Sequence, residues 1–144
     1  MKQIYRVDKG GNLAQALSGI TAPKLLLLMS NKEQFEKHVE ELEQHFPGVP
    51  SIGCIGGSYG GQTVAVDNGV AVIAIDGNLN VVTNVLEEAS TMPVKYIGRL
   101  ESDISKVGAS ESNTVCLDFC SGNDACVLTT IYLSLIHISE PTRL

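Results

Sequence analysis

Residues 24–54 read KLLLLMSNKEQFEKHVEELEQHFPGVPSIGC, and the fold class turns on them. Leu25 to Met29 is an unbroken apolar run, the pattern of a strand buried on both faces of a sheet. At Ser30 the composition turns polar. Ser30 and Glu33 have the S-x-x-E spacing of a capping box, in which each side chain satisfies the other residue's backbone N–H at a helix start. Phe35, Val39, Leu42 and Phe46 then recur as one apolar stripe among Glu, Lys, Gln and His. Pro47-Gly48 stops that helix, and Val49 to Cys54 returns as a strand. Strand, helix, strand is a βαβ unit, with a right-handed crossover as the default.

Upstream, Lys2 to Val7 carries Ile4, Tyr5 and Val7 and reads as a strand ended by Gly10-Gly11. Asn12 can cap a short helix whose Leu13, Ala16, Leu17 and Ile20 share one face, before Pro23 ends the segment. Downstream, glycines crowd into Gly53–Gly61, after which Thr63 to Val66 is extended. Val70 to Ile75 and Leu79 to Val85 flank Asp76-Gly77-Asn78, which predicts an antiparallel β-hairpin because Gly77 takes a positive φ cheaply. Ser102 to Val107 reads as a short helix and Asn113 to Cys120 as a buried strand. Ser121-Gly122-Asn123-Asp124 then caps a helix from Ala125. The expected fold is α/β: a mixed β-sheet with flanking helices, forming an incomplete domain.

Composition narrows the function classes. Hydrophobic residues make up 44% and charged residues 18%, which fits a globular chain of 144 residues with one core. Ten Lys and Arg against 16 Asp and Glu give a net charge of −6, and no basic cluster offers a face for a phosphate backbone. No nucleic acid partner is expected. The N-terminus lacks an apolar leader region, and the longest apolar run is too short to span a bilayer. The expectation is cytoplasmic folding, reduced thiols and no membrane contact by this segment.

The turn G-C-I-G-G-S-Y-G-G from Gly53 to Gly61 is the most informative motif. It follows a strand, where open α/β sheets place ligands, and glycines let backbone N–H groups approach an anion. Gly53, Cys54, Gly56, Gly57 and Ser58 are therefore candidate ligand-binding residues. The same glycines also suit a tight strand-to-strand crossing, and both readings stand. The spacing matches neither the dinucleotide fingerprint nor a P-loop, so no cofactor is implied. Asp118 follows an apolar stretch and offers a carboxylate to a ligand's ammonium group. Cys116, Cys120 and Cys126 lack the paired short spacing of a zinc site, so no metal is expected. A thiol enzyme built on Cys54, or a metal-assisted one built on those three cysteines, is the alternative. Cys54 would need a base, and the candidates are His38 and His45. No catalytic set can be assembled, and the chain reads as a non-enzyme.

The last stretch, Leu133-Ser-Leu-Ile-His137-Ile-Ser-Glu-Pro-Thr-Arg-Leu144, looks like the translation of a transposon-based sequencing-library adapter. On that reading the native domain occupies 1–132 and residues 133–144 are a non-native tail, so His137 carries no functional weight.

The strand Lys24–Ser30, the helix ending His45-Phe-Pro-Gly-Val-Pro50 and the Ile52-Gly-Cys54 step with its glycine turn resemble the FIST domain, a sensory module of signalling proteins. The paired strands from Val70 to Val85 and the strand-to-helix segment Val115 to Val127 carry the likeness across nearly all of residues 1–132. The family's usual turn bears Ser or Thr and an acidic residue, whereas here it reads Ile55-Gly-Gly-Ser-Tyr59 without the acid. The resemblance implies a cytoplasmic input module that senses small ligands such as amino acids. It also implies a missing C-terminal half and a signalling output domain as partners.

Overall fold

The computed structural model describes residues 1–56, 58–59, 65–66, 68–88, 92–110 and 112–119. The chain divides into two units, Met1–Thr83 and Asn84–Leu144.

The first unit runs β1 (Lys2–Asp8), α1 (Leu13–Ala16), β2 (Leu25–Ser30), α2 (Phe35–His45), β3 (Ser51–Ile55), β4 (Ser58–Tyr59), β5 (Ala65–Val66) and β6 (Val70–Asp76). Four of the strands form one sheet in the order β1-β6-β2-β3. β6 is antiparallel to both β1 and β2, while β2 and β3 are parallel. β1, β2 and β3 therefore all point the same way, with β6 inserted against them. The sheet is mixed and the class is α/β, as the residue pattern implies.

Register assigns the faces. Ala74 aligns with Leu26 and Ile4, Val72 with Leu28, Val70 with Ser30, and Leu28 with Gly53. Because side chains alternate along a strand, these residues share one face. That face holds the core: Leu26, Leu28, Val70, Val72 and Ala74 pack with Leu13, Ala16, Leu17 and Ile20 of the α1 region and with Leu42 of α2. Each large side chain so buried contributes about 1.5–3 kcal/mol. Asn12 caps α1 as its sequence implies, its side chain accepting from Gln15 N at 3.1 Å.

The start of α2 differs from the expected capping box. Ser30 ends β2, fully buried, and α2 has Gln34 at its N-cap position with no side-chain cap bond. The turn is closed by Asn31, whose Oδ1 accepts from Gln34 N at 2.9 Å. Sheet register outcompeted the local cap because it places Ser30 beside Val70 and Ile55. The buried stripe of α2 also differs. Val39 is 43% exposed while His38 is 1% exposed, so the inward face runs Phe35, His38, Leu42, Phe46.

The expected hairpin after β6 does not form. Gly77 does take a positive φ of 133°, but residues 79–86 carry no strand. The reason is occupancy: β6 is paired along its whole length by β1 on one side and β2 on the other, which leaves no edge for a returning strand.

The second unit is built on α3 (Ile97–Val107), preceded by a 3-10 turn over Pro93–Tyr96. The helix starts five residues earlier than the pattern from Ser102 suggests. It ends in a Schellman motif: Gly108 at φ 64° donates to Ser105 O at 3.1 Å, and Ala109 N donates to Ile104 O at 3.0 Å. Side chains of this helical segment hold the incoming chain. Asn84 donates to Asp103, Tyr96 to the Glu87 carbonyl, and Arg99 to the Val85 carbonyl at 3.5 Å. The expected strand Asn113–Cys120 is not one over its described residues, where Val115, Leu117 and Phe119 are exposed. A strand needs a partner's ladder, and among the described residues none pairs with this segment. The expected helix from Ala125 lies outside the described residues. Among them, no helix is long and apolar enough to cross a membrane.

Candidate functional site

Three parallel strands end together. Asp8, Ser30 and Ile55 close β1, β2 and β3, and register sets Asp8 and Ser30 on either side of Val70. The loops after Asp8, Ser30 and Ile55 therefore issue from one edge of the sheet. This is the carboxyl edge, where open α/β sheets hold ligands.

The first loop is shaped by Asp8, whose Oδ1 accepts from Gly10 N at 2.9 Å and Asn12 N at 2.8 Å. Gly11 follows at φ 77°, and a Cβ there would lie 2.7 Å from both the Asn68 carbonyl and Gln34 Oε1. Only glycine fits that position. Behind the loop sits His38. Its Nε2 lies 2.9 Å from the Gly11 carbonyl and its Nδ1 2.7 Å from Ser30 Oγ. A carbonyl only accepts, so Nε2 carries a proton, and in the tautomer protonated there alone Nδ1 accepts from the Ser30 hydroxyl. Ser30 Oγ also lies 3.4 Å from the Asn31 carbonyl, a weaker alternative. The Ser30 carbonyl in turn accepts from Gly56 N at 3.0 Å, which anchors the start of the glycine turn.

The candidates from sequence distribute unevenly over this edge. Gly53 faces α2: a Cβ there would lie 2.9 Å from the Leu28 carbonyl and 3.4 Å from Phe35 Cε2. Its glycine lets α2 approach β3. Cys54, one residue on, faces the other side of the sheet, where it is half-buried and aligned with Met29. At Gly56 a Cβ would sit 3.9 Å from Cys54 Sγ, an ordinary contact. A short strand follows the turn, as its sequence implies, with Ser58 in β4 paired antiparallel to β5. Gly57 lies outside the described residues, as does the Ser58 side chain. Asp118 belongs to the second unit, where its carboxylate oxygens lie 3.7 and 3.9 Å from Cys116 Sγ.

Among the described residues, no hydrogen bond joins Cys54 to either histidine. Both ring nitrogens of His38 are engaged, and His45 Nδ1 lies 2.8 Å from the Glu41 carbonyl. Cys120 and Cys126 lie outside the described residues, and among the described residues no group of three metal-ligating side chains assembles. The buried Ser30–His38 pair is what sequence reasoning missed. Its signal was present: His38 stands three residues after Phe35 and four before Leu42, on the apolar stripe.

One group in the second unit titrates away from its ordinary value. The Lys106 ammonium, hydrogen-bonded to Asp103 at 2.9 Å, holds that carboxyl below the usual carboxylate range against the effect of burial, and Asn84 and Arg99 add to the lowering.

A family model described as FIST N domain matches residues 24–139, most of the chain. No curated protein and no solved structure matches it significantly.

Proposed function

We propose, from the premise that the chain belongs to the FIST N domain family of signal-transduction sensory domains, that it binds a small polar ligand at the carboxyl edge of its sheet. The observation that carries this is the common ending of β1, β2 and β3 beside the glycine turn. Cys54, Gly56, Gly57 and Ser58 line the ligand, and Gly53 serves them by letting α2 seat against β3. The proposed ligand class is an amino acid or a derivative, and Asp118, in the second unit, is proposed separately as a carboxylate for an ammonium group. The module is cytoplasmic, and ligand binding shifts a conformational equilibrium that is passed to an output domain.

A thermal-shift panel of the common amino acids and their amides tests this reading. Saturation at a hundred times Kd stabilises a folded protein by about 2.7 kcal/mol, a shift of several degrees. The expected result is a shift from one chemical class, reduced in Gly56→Val. No shift from any of them at millimolar concentration overturns the amino-acid reading.

A further inference from the structure

We infer that Ser30 and His38 are positioning residues that tie the glycine turn to the β1–α1 loop, so that the two loops move together. The tie is three hydrogen bonds joined through the covalent frames of Ser30 and His38. Gly56 N–H donates to the Ser30 carbonyl at 3.0 Å, the Ser30 hydroxyl meets His38 Nδ1 at 2.7 Å, and His38 Nε2 meets the Gly11 carbonyl at 2.9 Å. Among the described residues of the first unit, its two central side chains are the most deeply buried polar groups, at 0% and 1% exposure. Water cannot substitute for a lost partner at such positions, so losing either side chain leaves the other buried and unsatisfied and loosens the backbone it holds.

Other elements make the coupling stiff. At Gly11 the Asn68 carbonyl and Gln34 Oε1 occupy the space that a Cβ would take, so this part of the loop is closely packed. Asn12, the next residue, is held by Asp8 and caps α1. A ligand that displaces Gly56 therefore pulls on Ser30, and through His38 on the loop that starts α1. Coupling of this kind travels through contiguous packed and bonded groups. The inference rests on the proposed ligand reading for its meaning, yet its test needs no ligand, so either can fail without the other.

The test is amide hydrogen exchange on the isotope-labelled 144-residue chain, in wild type, Ser30→Ala and His38→Gln. Gly56 and Asn12 report the two loops, and Leu28 and Val72 report the sheet. The expected result is exchange about tenfold faster or more at both loop positions, with the sheet unchanged. Leu42→Ala, which removes buried volume from α2 without touching the bonded chain, should loosen loops and sheet in step. Loop protection unchanged in Ser30→Ala, or lost only in parallel with the sheet, overturns the inference. Nitrogen chemical shifts of the His38 ring in the wild type give a second test that needs no variant. A proton held on Nε2 supports the chain, and one held on Nδ1 overturns it.

Discussion

Gly53 and Gly56 stand three residues apart in one glycine-rich turn, yet a methyl group meets different surroundings at each. At Gly53 it would press against the Leu28 carbonyl, a backbone atom that the parallel ladder holds in place, and against Phe35. Gly53→Ala should therefore cost about 1–3 kcal/mol in a urea melt, as overpacking does. At Gly56 the same methyl meets only Cys54 Sγ at van der Waals distance, so Gly56→Ala should change stability by less than about 0.5 kcal/mol. A binding assay separates the roles further, because Gly56→Ala should weaken the ligand while leaving the melt alone. Ser30 shows the same dependence on surroundings. Its spacing to Glu33 matched a helix cap, but burial turned its hydroxyl toward His38.

The helix α3 is held by identifiable devices at its C-terminus and along its length. Its C-terminus depends on Gly108 in the left-handed region, where nothing crowds a Cβ and only backbone strain opposes substitution. Gly108→Ala should cost about 1–2 kcal/mol, read as faster amide exchange in the last turn of the helix. Along its length, Asp103 ties Lys106 and Asn84 to the helix as a carboxylate. Its folded pKa is depressed, so its stabilising contribution is present above the ordinary carboxylate range and is lost as pH falls through its lowered value. Melts of the chain from neutral pH down into the acid range should show α3 weakening below about pH 4. Asp103→Asn should weaken it already at neutral pH and flatten that acid dependence. The segment expected as the second hairpin strand is understood at this scale too: Asn84, Val85 and Glu87 are bonded by residues of the α3 segment and not by a strand.

For the first unit as a whole, the main core cluster lies on one face of the sheet. Leu28 lies at its centre, 1% exposed, between Val72 and Gly53. Leu28→Ala should cost about 2–5 kcal/mol and lower the unfolding midpoint of Met1–Thr83 in a denaturant titration. The sequence by itself determined the units of local free energy: the apolar run of β2, the Asn12 cap, the amphipathic α2 with its Pro47-Gly48 stop, and the glycine-rich exit from β3. Each depends on residues within a turn or two of one another, so periodicity and capping chemistry reveal it. The tertiary structure alone decided that β6 fills the gap between β1 and β2, which removed the hairpin that Asp76-Gly77-Asn78 favours locally. It also decided that Ser30 and His38 meet inside, and that Gly53 and Cys54 serve opposite faces. Those outcomes follow from which strand takes which edge, a competition among partners distant in sequence that no local pattern encodes.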